Sequence, residues 1–173
     1  MAPYELLVKG RDLPWLLTRW AQQTPDKVFL IWAPFPQNNK IIGEDQQWTY
    51  AEFDLVVRQA ATGLAARGVK KGQRVLIHLE NCPELLISWF ACAYLGAVGV
   101  LTNTRSVERD IRYFCEHAEV VAAITQPQFY PTLLSAAPGL SFLVVTHTNA
   151  GEEARQELPL STSTATVFVF DQL

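Results

Sequence analysis

Cysteine is scarce in this chain, and the three present, Cys82, Cys92 and Cys115, are an odd number spaced irregularly within apolar or helical stretches. That pattern matches neither a disulfide framework nor a zinc site, so a reducing, cytoplasmic setting is the expectation. Charge is low as well. Asp, Glu, Lys and Arg make up 18% of residues, 14 basic against 17 acidic, where soluble domains carry roughly a quarter. With no basic excess, nucleic acid is not an expected partner. The amino terminus lacks the basic start and unbroken apolar run of a secretory signal, because Glu5, Lys9, Arg11 and Asp12 interrupt it.

A glycine-rich phosphate cradle is also missing. There is no Walker pattern, and Gly96-Ala97-Val98-Gly99 lacks the third glycine and the ribose-binding acid of a dinucleotide fingerprint. Residues 161–166, Ser-Thr-Ser-Thr-Ala-Thr, are rich in hydroxyls. They have neither glycine to admit a phosphate to the backbone nor a following lysine, and they read as linker. His117 and His147 have no sequence partner at metal or triad spacing, and His78 lies inside an apolar strand. Cys82 stands at a helix start, where a dipole lowers a thiol pKa, yet packing is the expected role. Glu152-Glu153 and Glu108 with Asp110 read as solvated faces. No catalytic residue is assigned.

What the chain does have is core material. At 173 residues and 49% hydrophobic it can bury one domain core. Residues 85–104 run for about 20 positions without a charge, the length of a bilayer span. Gly96 and Gly99 divide the run, and Ser88, Thr102, Asn103 and Thr104 dilute it, so a buried helix followed by a strand is expected and no transmembrane segment. In residues 52–67, Phe53, Val56, Val57, Ala60, Ala61, Leu64 and Ala65 recur along one helical face. Thr49-Tyr50-Ala51-Glu52 is a capping box at its start and Gly68 marks its end. The apolar run 75–79 predicts a buried strand.

The next helix is expected with Asn81 as cap, Pro83 in the first turn and Gly96 as stop. Residues 97–101 predict a strand, Ser106 the cap of a third helix, 120–124 a strand, 126–135 a short helix and 140–145 another strand. Upstream, 13–23 predicts a helix, and 28–32 with 47–49 an antiparallel pair around a 34–45 loop. Downstream, 147–166 reads as linker-like before a last strand at 167–170. Repeated short strand-helix-strand units imply an α/β fold: a doubly wound, mostly parallel sheet with helices on both faces.

The order of motifs is similar to a known family. Thr49-Tyr50-Ala51-Glu52-Phe53, the stretch from Gly63 to Val75, Asn81-Cys82-Pro83-Glu84, Gly96-Ala97-Val98 and Asn103 resemble the opening of an adenylate-forming, AMP-binding ligase. Residues 78–84 and Ser88-Trp89-Phe90 most resemble acyl-CoA synthetases of the crotonobetaine or carnitine CoA ligase type. The resemblance runs from about Leu13 to Leu173 and covers only the first part of the family's pattern. It implies that the chain, 1–173, is an amino-terminal subdomain fragment of a ligase that uses ATP, Mg2+ and CoA to turn a small carboxylic acid into an acyl adenylate and then an acyl-CoA. The phosphate loop and catalytic lysine of such ligases do not occur in this sequence, so the chain alone is expected to be inactive, without tight binding of those ligands, and to partner the remainder of the ligase.

The resemblance also places the loop of Asn103, Thr104 and Arg105 near the pantetheine tunnel, with Arg105 able to meet a phosphate. The alternative is that Asn103 and Thr104 only shape a turn. Two other readings stand beside this one: a piece of an amino-acid-activating domain that loads a carrier-protein thiol, and a free-standing α/β module binding a partner through the apolar surface of residues 89–95. Association into a homo-oligomer is left open. Trp89 is expected in the core, where Trp89→Asp would unfold the domain.

Overall fold

In the computed structural model, residues 10–33, 45–147 and 165–173 are described. The amino-terminal residues, most of the expected 34–45 loop and nearly all of the 147–166 linker, with its run of hydroxyls, lie outside them. Elements follow in the order α1 (Leu13–Gln23), β1 (Val28–Trp32), β2 (Gln46–Thr49), α2 (Tyr50–Ala66), β3 (Arg74–His78), α3 (Pro83–Leu95), β4 (Val98–Leu101), α4 (Glu108–His117), β5 (Val120–Thr125), α5 (Tyr130–Ala136), β6 (Phe142–Val145) and β7 (Thr166–Val169). A single 3-10 turn, Phe170–Gln172, follows.

Strands β3 to β7 form one five-stranded sheet in the order β4-β3-β5-β6-β7, every neighbouring pair parallel. Alternate residues of each strand go to opposite faces. Val75, Ile77, Ala122, Ile124, Phe142 and Val144 pack with α2 and α3. Leu76, Ala123, Leu143, Val145 and Val167 pack with α4 and α5. Both faces are covered, which is why these strands read as continuous apolar runs, and the doubly wound architecture is as the sequence predicts. The antiparallel β1–β2 pair is also present, with Leu30 opposite Trp48.

On the α2–α3 side, Phe53 is fully buried against Phe29, ring centroids 4.6 Å apart, and meets Phe90 edge-on at 5.6 Å. Around these rings a polar network joins α1, α2 and α3. The Tyr94 hydroxyl donates to the Asp54 carboxylate and lies 2.7 Å from Thr18 Oγ1. Arg58 donates from Nε to Asp54 at 2.7 Å and from Nη2 to Thr18 at 3.0 Å. Burial, then the bond to Asp54, pushes the Tyr94 hydroxyl above its ordinary pKa. At the other end of α2, Arg67 reaches β7: its guanidinium lies 4.3 Å from the Phe168 ring centroid, and Nη2 donates to the Gln172 carbonyl at 2.9 Å. Gly63 has no room for a side chain, because a Cβ there would stand 2.5 Å from Leu173 Cα.

Several local expectations need correction. Thr49 and Glu52 do form the reciprocal capping box, but α2 begins two residues earlier than expected, at Tyr50. Cys82, not Asn81, is the N-cap of α3 and makes no side-chain capping bond. Pro83, as the first helical residue, fixes the cap to the position before it. Likewise Val107 occupies the cap of α4, its N–H donating to Asp110 at 3.4 Å, while the Ser106 N–H is taken by the Asn103 carbonyl in a turn. Residues 126–129 form a turn before α5: Gln126 precedes Pro127, which disfavours helical backbone at that position, and its carbonyl takes the Phe129 and Tyr130 N–H groups at 3.1 Å.

Trp89 is the largest correction. It is 38% exposed while its neighbour Phe90 is 8% exposed. The ring lies at the sheet's open edge, its Cδ1 set 3.1 Å from where a Cβ on Gly99 of β4 would be, and among the described residues no strand lies beyond β4 to complete the burial. Trp89→Asp is therefore not a whole-core lesion. The rest of α3 is committed inward through Ile87, Phe90, Ala91 and Cys92, which opposes the reading of residues 89–95 as a free docking surface.

Candidate functional site

Chain order reverses direction across β3. From β3 the chain crosses to β4 on one side, then returns past β3 to place β5 on the other. In open α/β sheets ligands bind outside the carboxyl ends of the strands, at such a switch point. Here that edge is made by the ends of β3 (His78), β4 (Leu101, leading to Thr102) and β5 (Thr125, Gln126).

Side chains tie these ends together. His78 Nδ1 lies 2.9 Å from Thr102 Oγ1. Thr125 Oγ1 donates to the His78 carbonyl at 3.0 Å, and the Glu80 N–H donates to Gln126 Oε1 at 2.8 Å. His78, Thr125 and Gln126 are all buried. Each group is polar and enclosed, so each needs such a partner. Burial holds His78 below its ordinary pKa, favouring the neutral ring. Along the same edge, His147 Nε2, after β6, lies 2.8 Å from the carboxylate of Asp171, after β7.

Asn103, Thr104 and Arg105 follow β4 on this edge. Asn103 Oδ1 accepts the Arg105 N–H at 2.9 Å, and its carbonyl accepts the Ser106 N–H at 2.9 Å. The Asn103 side chain thus shapes the turn, as the turn reading expects. Arg105 is exposed, and among the described residues its guanidinium meets no carboxylate, leaving a cation to face an anion from solution or from another part of a protein. The joining of His78, Thr125 and Gln126 to this edge, and of His78 to Thr102, is not assigned from sequence. The signal for it is polar residues sitting directly after apolar strands.

The three cysteines of the chain are not poised as nucleophiles. Burial raises all three thiols: Cys82 well above the usual range, Cys92 up to about 12 and Cys115 up to about 11. All three are free and buried. Cys82 is a packing residue, consistent with the sequence expectation. Among the described residues no three His, Cys, Asp or Glu converge as a metal ligand set would. No helix among them is long and apolar enough to cross a membrane.

A family model described as "AMP-binding enzyme" matches residues 17–171. This chain belongs to the AMP-binding enzyme family. Its relatives among characterised proteins include the crotonobetaine/carnitine–CoA ligase of Salmonella paratyphi A, 31% identical over 125 residues, which is 72% of this chain and 23% of that protein. The same-named ligase of Salmonella typhimurium is 34% identical over the same shares. The matched segment thus amounts to about a quarter of these relatives' length.

Two solved structures illustrate the shared fold. The anthranilate CoA ligase AuaEII, in complex with anthranoyl-AMP, superposes with a TM-score of 0.63 at 22% identity, over 76% of this chain and 24% of that one. The O-succinylbenzoate coenzyme A synthetase MenE of Bacillus subtilis, in complex with AMP, gives a TM-score of 0.56 at 31% identity, over 65% and 27%.

Proposed function

We propose that this chain is the amino-terminal part of an ATP-dependent carboxylic acid–CoA ligase. The observation that carries the reading is the match to CoA ligases at 31–34% identity over 72% of the chain and only 23% of their length. In the reaction proposed for the whole enzyme, a carboxylate oxygen attacks the α-phosphate of ATP, releasing pyrophosphate and forming an acyl adenylate. The CoA thiol then attacks the acyl carbon, displaces AMP and gives the thioester. Both steps place negative charge on phosphate oxygens, which preorganised amides and cations must meet.

This chain supplies one α/β layer and a share of one binding edge, and by itself it is inactive. A magnesium ion would neutralise phosphate charge in the whole enzyme, but the described residues hold no ligand set for one. That role is assigned to the remainder of the ligase, the partner against which this layer packs. Residues 147–166 serve as a linker-like stretch, and the enzyme works in the cytoplasm on a small carboxylic acid, in acyl and fatty acid metabolism. Arg105 and Thr104, at the switch-point edge, face a phosphate of CoA, while Asn103 holds the turn that presents them.

Reading the gene past the codon for Leu173 tests the assignment. An in-frame Thr/Ser/Gly-rich loop ending in lysine is expected, and a stop codon with no such frame beyond it would refute adenylation by this polypeptide. In the intact ligase, Arg105→Ala is expected to raise KM for CoA while leaving the adenylation half-reaction, followed by pyrophosphate exchange, unchanged. An unaltered KM for CoA would refute the role given to Arg105.

A further inference from the structure

His78 is buried to 1% exposure at the end of β3, directly after the buried run Val75-Leu76-Ile77, a place where an aliphatic side chain would pack without any polar atom to satisfy. Its ring and its backbone are each held by a neighbour. The ring meets Phe129 edge-on at 4.8 Å, and the His78 backbone carbonyl accepts the Thr125 hydroxyl at 3.0 Å. From that fixed ring, Nδ1 reaches Thr102 Oγ1 at 2.9 Å, while the Thr102 N–H donates to the Ile77 carbonyl at 3.2 Å.

Two successive residues of β3 thereby carry the β3–β4 pairing one residue beyond Leu101. The loop leaves the sheet at a set point, one residue before Asn103. From there Asn103 takes the Arg105 N–H at 2.9 Å and, through its carbonyl, the Ser106 N–H. Two sets of hydrogen bonds, joined by the Thr102–Asn103 peptide link, lead from the buried end of β3 to Arg105, with His78 as their anchor.

We propose that His78 is a positioning residue for the 103–105 loop, holding it through Thr102 in the orientation in which Arg105 receives a phosphate of CoA. The inference rests on the CoA reading for its ligand, but the ordering of the loop can be measured without any ligand. Two variants separate positioning from packing. His78→Leu keeps the bulk and loses the hydrogen bond, while His78→Asn keeps a polar atom near the place of Nδ1 and loses bulk. Packing alone ranks Leu above Asn; positioning ranks Asn above Leu.

The first readout is native-state tryptic cleavage at the Arg105–Ser106 bond of the 173-residue chain, followed by mass spectrometry alongside the melting temperature. His78→Leu is expected to cleave there about fivefold faster, the effect of one lost hydrogen bond on a local opening equilibrium, without a lower melting temperature. His78→Asn is expected to cleave near the wild-type rate. Thr102→Val removes the same bond from the loop side together with the longer reach of the Thr102 hydroxyl to the Ile77 carbonyl at 3.5 Å, so it should cleave at least as fast as His78→Leu, and the double variant should fall short of the product of the two.

Cleavage that follows melting temperature alone, or is unchanged in both His78→Leu and Thr102→Val, would overturn the proposal. The second readout is KM for CoA against kcat in the intact ligase. His78→Leu is expected to raise KM and His78→Asn to restore it. If Arg105→Ala raises KM and His78→Leu does not, the positioning role is refuted. If the cleavage results hold and neither substitution changes KM, the positioning of the loop stands and the CoA reading is the one that fails.

Discussion

The packing of α2 on the sheet turns on Phe53, and truncating that side chain gives a decisive measurement. Phe53 is fully buried, with Phe29 at 4.6 Å and Phe90 at 5.6 Å. Phe53→Ala removes a whole ring from a close-packed junction of β1, α2 and α3. Such truncations cost about 3–5 kcal/mol, the lost transfer free energy plus the cavity left behind. Two aromatic contacts are lost with it, each contributing about 0.5–1.5 kcal/mol beyond burial, which places the variant toward the upper end of that range. A domain of this kind has about 5–15 kcal/mol to lose.

Leu55, two residues away on the same helix, is 57% exposed and provides the control. Its truncation is expected to shift stability by no more than about 0.5 kcal/mol. Urea unfolding followed by far-ultraviolet circular dichroism reads both. Phe53→Ala should lower the midpoint steeply with an unchanged slope, or leave the chain unfolded in buffer, while Leu55→Ala should leave the midpoint near its starting value. Comparable midpoints for the two variants would refute the orientation assigned to α2, and with it the two-faced packing of the sheet.

His78 should titrate below its ordinary value of 6.5 because burial opposes the charged ring. The folded state then binds fewer protons than the unfolded one, so stability falls as pH drops below 6.5. A histidine NMR titration alongside urea midpoints checks both statements. Iodoacetamide at pH 8 should label none of Cys82, Cys92 and Cys115 in the native chain and all three in urea, since burial raises each thiol; native labelling of Cys82 would contradict its enclosed cap. Gly99→Ala crowds only the side-chain ends of Ile77 and Trp89, at 3.0 and 3.1 Å, and should cost about 1 kcal/mol. Gly63→Ala presses on the backbone of Leu173 at 2.5 Å and should cost more by the same unfolding assay.

Much of this fold is legible in the sequence because its signals are local. The Thr49–Glu52 capping box, the apolar period along α2 and the uninterrupted strands each lie within a few residues of what they specify. Errors gather where the deciding partner is remote. Trp89 reads as core until β4 is seen to be the outermost strand among the described residues. Asn81 and Ser106 have good capping chemistry but stand one residue too early, and only the backbone path decides that. Among site residues, the 103–105 loop is found from its motif and its place after a strand. Gln126 and the link from His78 to Thr102 are missed because the bonded partners lie 46 and 24 positions apart.

The bond from Arg67 to Gln172 spans 105 positions, and that separation bears on how the molecule assembles. Contacts between distant residues require a large loop to close before they return any stabilisation, and folds rich in them form slowly. Strands β3, β4 and β5 and their helices are contiguous in the chain, so they can condense without β7. The closing strand and its hold on α2 then come last, and refolding watched at Phe168 should lag behind refolding watched at the α2–α3 core.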